Sequence, residues 1–127
     1  MSYYFAKTLD MPFDRAVEKT VAALKAHGFG VLTRIDVQAT MKEKIGADFR
    51  PYVILGACNP QMAHKALEAE DKIGTMLPCN VIVQERNGKS EVAAVDPVAS
   101  MQAIENPALG AIATEVRQRL KAVVEAL

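Results

Sequence analysis

Asn87-Gly88 stands between two β-prone runs, residues 79–84 and 90–95, and it constrains the fold more than any other feature of the chain. Both residues tolerate the positive φ that a two-residue type I′ turn requires, so the two runs should pair as an antiparallel hairpin. Three other dipeptides, Asn59-Pro60, Asp96-Pro97 and Asn106-Pro107, each mark a helix start. The Asn or Asp oxygen caps free backbone N–H groups, and proline fills a first-turn position whose N–H needs no partner.

Between these marks the apolar periodicity alternates. Residues 3–9 are β-prone. Phe13, Val17, Val21 and Leu24 then recur at spacings of four and three, with Asp14, Arg15, Glu18, Lys19 and Lys25 on other faces, which predicts an amphipathic helix ending at Gly28 with Phe29 folded back onto its last turn. From Phe29 the period becomes two, through Val31, Thr33, Ile35 and Val37, although Leu32 breaks the polar side. Residues 38–45 predict two helical turns, and 52–58 a strand apolar on both faces, hence inside a sheet. The helix opened by Asn59-Pro60 is expected to reach about Asp71, with Gly74 as terminator, and the last helix carries Leu109, Ile112, Val116, Leu120, Val123 and Leu127 on one stripe. The order is β, α, β, short α, β, α, β, β, α. With an antiparallel hairpin and singly striped helices, this predicts one α+β domain over residues 1–127, a two-layer sandwich of about five mostly antiparallel strands covered by helices. A sheet covered on one face leaves the other for a partner, so a homodimer is expected.

Composition narrows the function classes. Fifteen Lys and Arg balance fifteen Asp and Glu, which removes the positive field expected of a non-specific nucleic-acid binder. The absence of Trp and the few aromatics leave little for base stacking. No run approaches the roughly 18 apolar residues of a membrane span, and residues 1–9 show no secretory pattern, so a soluble cytoplasmic protein without a membrane partner is expected. In that compartment Cys58 and Cys79 should be thiols.

Two strings stand outside the periodicities: residues 55–60, Leu-Gly-Ala-Cys-Asn-Pro, and 77–80, Leu-Pro-Cys-Asn. Each sets a thiol beside an asparagine and near a proline. Cys58 falls where a strand ends and a helix begins, a position where the helix N-terminus can lower a thiol pKa. Gly56 before it permits close approach of a ligand or a neighbouring strand. If the strands of Cys58 and Cys79 are antiparallel neighbours, the two sulfurs meet at one edge of the sheet. Cys58, Asn59, Cys79, Asn80 and Gly56 are therefore the candidate ligand-binding residues. Cys58, Cys79 and His64 are candidate ligands for a soft metal, copper(I) or zinc, with Met62 and Met76 nearby in sequence, although no metal-ligand spacing supports them. Both thiols are equally well read as small core residues.

The nucleotide, hydrolase and metalloprotease motifs are missing, and no motif names a cofactor. Asp96 is read as a cap, His27 as a complement to a helix C-terminus, and Arg34, Lys42, Lys44 and Arg50 as a solvated face interleaved with acids.

Gly28-Phe29, the string 55–60, Ile73-Gly74 leading into residues 77–81, and Asp96-Pro97 together resemble the bacterial and archaeal family called domain of unknown function 302. The resemblance covers nearly the whole chain, with the family's characteristic positions falling on Gly56, Cys58, Asn59, Pro60, Pro78, Cys79 and Asn80. Thr75-Met76 departs from it, standing where aliphatic residues are commoner. The resemblance implies a β-α-β(4)-α-like fold with an added helix, and a dimer. It implies no biochemical activity.

Three readings follow. The first is a small-ligand or metal-binding module built on the two Cys-Asn strings. The second is a structural or protein-interaction homodimer without a catalytic site. The third is a thiol-dependent enzyme with Cys58 as nucleophile and His64 as base.

Overall fold

The structure, a computed structural model, describes residues 2–127. Strand β1 (Tyr4–Leu9) leads through Pro12 into α1 (Phe13–Ala26), followed by β2 (Gly30–Asp36), α2 (Val37–Ile45) and β3 (Tyr52–Cys58). Then come α3 (Pro60–Ala69), a 3-10 turn (Ile73–Met76), the hairpin β4 (Cys79–Arg86) and β5 (Lys89–Val95), the short α4 (Pro97–Ser100) and α5 (Pro107–Glu125). The strands form one sheet in the order β1-β5-β4-β3-β2, antiparallel at every step. With its helices it makes an α+β sandwich, in which α2 and α3 interrupt the run of four strands and α4 precedes the last helix.

The local signals act as their chemistry requires. Asn87 and Gly88 take φ of 53° and 77° and close the hairpin. Asn59 Oδ1 accepts from Met62 N–H, Asp96 Oδ1 from Val98 and Ala99, and Asn106 Oδ1 from Ala108. At the end of α1, Phe29 N–H donates back to the Leu24 carbonyl at 2.8 Å, and the Phe29 ring is buried.

One face of the sheet is the core. Val53, Leu55 and Ala57 of β3, Val81 and Val83 of β4, and Val92 and Ala94 of β5 pack under Val17 and Leu24 of α1 and Val116, Leu120 and Val123 of α5. Thr20 is fully buried among them because its hydroxyl donates to the Ala16 carbonyl. A second cluster, Ala66, Ile73 and Leu109, joins α3 and the 3-10 turn to α5.

Two departures from the sequence reading have clear causes. Leu32 is the extra residue of a β-bulge: Val31 pairs with Ala57 and Thr33 with Gly56. The bulge inverts the alternation, so Phe29 and Val31 pack on the core while Thr33 and Ile35 share the opposite face with Gly56 and Ile54. The expected single stripe from Phe29 to Val37 is thus split, and Val37 opens α2. Helix α3 stops at Ala69, short of Asp71, and Gly74 lies within the 3-10 turn. Asn106 Nδ2 donates to the Ala69 carbonyl at 2.9 Å and to Glu70 Oε1, and Glu70 is extended.

The face away from α1 and α5 carries a cross-strand row. Ile35, Ile54, Ile82, Ala93 and Ala6 stand opposite one another in register from β2 to β1. Beside the row, Arg50 Nε donates to Gln84 Oε1 and Gln84 Nε2 to Glu91 Oε1, with the guanidinium over the rings of Phe49 and Tyr52.

Candidate functional site

The two strings meet through strand pairing. Ala57 stands opposite Cys79 and Gly56 opposite Asn80. Because side chains alternate along a strand, this register sends Cys79 to the helix-covered face with Ala57, and Asn80 to the open face with Gly56. Cys58 ends β3, Asn59 caps α3, and Cys79 opens β4 after the cis Leu77-Pro78 bond.

At this end of the sheet lies a partly open cleft of about 330 Å³. Its walls come from Phe29 just before β2 and Leu32 within it, Met62 and Leu67 of α3, Leu77 and Pro78 before β4, Met101 after α4, and Ile112 and Val116 of α5. The lining is almost wholly apolar, and Cys58, Asn59 and Cys79 all contribute to it. Three of the five candidate ligand residues are therefore brought together. Asn80 is exposed on the open face. Gly56 is also on that face, and serves packing: a β-carbon there would stand 2.7 Å from Pro78 Cγ and inside the Thr33 hydroxyl.

Both cysteines are free thiols. Burial pushes the Cys58 thiol up, and burial followed by the neighbouring Cys58 pushes Cys79 up to about 11. This corrects the expectation of a lowered Cys58 pKa. Cys58 lies one residue outside the cap, where Asn59 already takes the Met62 N–H, and desolvation favours the uncharged thiol.

His64 does not reach the cleft. Its Nε2 lies 3.2 Å from Glu68 Oε1 one turn along α3, with both side chains in solvent. Among the described residues, no three His, Cys, Asp or Glu side chains converge as a metal-binding group. Met62 lines the cleft, whereas Met76 lies outside it and is exposed.

The other polar candidates are absorbed structurally. Asp96 caps α4 with Oδ1 and accepts from Arg117 Nε with Oδ2 at 3.1 Å. His27 Nδ1 is bonded to the Ala23 carbonyl. Of the basic residues, Lys42 pairs with Asp48 and Arg50 is held by Gln84.

The sequence does not single out Phe29, Met101, Ile112 or Val116 as site residues: Ile112 and Val116 belong there to the apolar stripe of the last helix, and Phe29 to the end of the first. The one signal pointing toward them is Gly28, which turns the chain at φ 87° and delivers Phe29 to the cleft wall.

Among the described residues no helix is long and apolar enough to cross a membrane. No curated protein matches the sequence. A crystal structure of an uncharacterized conserved DUF302 protein from Bacillus stearothermophilus superposes with a TM-score of 0.91, at 32% identity over 98% of this chain and 98% of that chain. The sequence profile described as Domain of unknown function DUF302 matches residues 5–127, and with strings, fold and profile in agreement the chain belongs to the DUF302 family.

Proposed function

We propose that the protein is a binding module for a small apolar ligand, held in the cleft between the end of the sheet, α3 and α5. The observation that carries this reading is the cleft itself, a concavity of about 330 Å³, at the small end of the range for ligand sites, lined by aliphatic, aromatic and sulfur side chains. A polarisable wall of Cys58, Cys79, Met62 and Met101 suits an unsaturated or aromatic body. Burial that raises both thiols disfavours nucleophilic catalysis by thiolate, and among the described residues no third His, Cys, Asp or Glu joins the two cysteines as a metal ligand. The catalytic reading also loses its base, because His64 points into solvent.

The test is titration with an environment-sensitive apolar dye, comparing the native protein with a variant in which Ala63 of α3, in the cleft wall, is replaced to fill the cleft, Ala63→Phe. Saturable 1:1 binding abolished by Ala63→Phe, at unchanged melting temperature, supports the reading. Binding that never saturates, or that survives the substitution, overturns it.

A second reading, a homodimer through the open sheet face, is favoured by the cross-strand row from Ile35 to Ala6. Five strands at about 4.8 Å spacing give roughly 500 Å² of face per copy, which reaches the lower bound of about 1,000 Å² for a specific interface. Sheet-on-sheet packing of two copies would dry this row as α1 and α5 dry the other face.

A further inference from the structure

The cap of α3 uses only half of its asparagine. Asn59 is 8% exposed, its Oδ1 accepts from Met62 N–H, and its Nδ2 makes no hydrogen bond within the protein. The Met62 bond fixes which end of the amide is oxygen, so the unpartnered group is the NH₂ donor. Asp, Ser or Thr would cap the helix as well. What Asn adds is this donor, which no protein group accepts from and which solvent reaches, so it is open to an acceptor from outside the protein.

A second donor stands beside it. A β-carbon at Gly28 would lie 3.2 Å from Asn59 Nδ2 and 3.6 Å from Arg119 Nη1, so the two groups converge over the bare Cα of Gly28. Gly28 immediately precedes Phe29, and both Phe29 and Asn59 line the cleft. Arg119 Nε donates to Glu115 Oε1 at 2.9 Å, its one bond within the protein. The Nη donors of the guanidinium fork are free for another acceptor.

We infer that the ligand of the apolar cleft carries a carboxylate at one end, received at Gly28 between Asn59 Nδ2 and Arg119 Nη1. This rests on the reading of the cleft as a ligand site and names the class: a small apolar monocarboxylic acid. The amide alone would accept any oxygen acceptor, and the guanidinium selects an anionic one, since charge-assisted bonds to a carboxylate are the stronger kind. Glu115 leaves part of the Arg119 charge for the ligand, because its carboxylate engages Nε and is itself partly in solvent. A side chain at Gly28 would fill the approach, and φ of 87° keeps that position for glycine.

The probes are octanoate and octanol, which share a chain and differ in the head, titrated calorimetrically into the native protein, Asn59→Asp and Arg119→Gln. Asn59→Asp keeps the cap oxygen and replaces the donor with a repelling carboxylate, and Arg119→Gln removes the charge at a partly exposed position. The native protein should prefer octanoate by about tenfold or more. Each variant should lose that preference, and Arg119→Gln, outside the cleft lining, should bind octanol as before. Equal affinity for the two probes, or a preference that survives both substitutions, overturns the carboxylate assignment and leaves the apolar cleft standing. Failure of both probes to bind the native protein overturns the cleft reading as well.

Discussion

The hydroxyl of Thr33 stands where a β-carbon on Gly56 would have to be, with the Pro78 ring closing the space from the other side. The pair joins two features the sequence presents separately. The bulge at Leu32 turns Thr33 to the open face, and β3 meets it there with a residue that has no side chain. Gly56 is thus required by packing between strands rather than by a ligand.

Gly56→Ala should therefore destabilise the protein by about 1–3 kcal/mol, the usual range for overpacking. Thr33→Ala in the same chain should recover part of the loss, because the two positions are coupled by contact. Urea denaturation of the two single variants and the double variant measures this. Additive losses would show that the strain lies elsewhere.

Asn106 links α3 to α5 by capping one and ending the other. Asn106→Ala should cost about 1–2 kcal/mol through the cap alone, with a further loss from the freed Ala69 carbonyl. Asn106→Asp keeps the cap of α5 and removes the donor to α3, so it should fall between Ala and native in thermal melts. An Asp variant as unstable as the Ala variant would place the whole effect at Ala69.

The thiols should be slow nucleophiles at neutral pH. Alkylation should be slower than for a free cysteine at both positions, with Cys79 the slower and its rate still climbing toward pH 11. Because its folded-state pKa lies above the unfolded one, the native state holds this proton more tightly. Its contribution to stability is complete below about pH 9 and declines as the pH rises to about 11. Cys79→Ala should flatten that decline in chemical denaturation curves, and an unchanged slope would assign it to another group.

If the open face pairs with a second copy, Ile82→Lys places a charge in the middle of the row and should yield a monomer of native secondary structure by light scattering and circular dichroism. A native protein that is already monomeric at high concentration would remove the dimer reading.

Much of the architecture is legible in the chain because its signals are local. A type I′ turn at Asn87-Gly88, oxygen caps at Asn59, Asp96 and Asn106, and the back-folded Phe29 each depend on backbone groups within about five residues. These, with the apolar stripes, determine where helices and strands start and that the sheet contains antiparallel pairs. That the two Cys-Asn strings meet at one end of the fold depends on the pairing of β3 with β4.

Which of those residues share a site is decided elsewhere. Side-chain parity along a strand depends on the register of its neighbours, and that register is set by packing between segments far apart in sequence. Pairing of Ala57 with Cys79 sends Cys79 into the cleft and Asn80 to the other face, while the bulge at Leu32 exchanges the faces of β2. Burial then raises the Cys58 thiol that the helix terminus was expected to acidify, and Cys79 with it. The sequence by itself determined the elements and the chemistry at their ends. Only the tertiary structure decided which ends face one cavity, because a pleat that inverts with every residue turns a single-residue difference in register into a change of face.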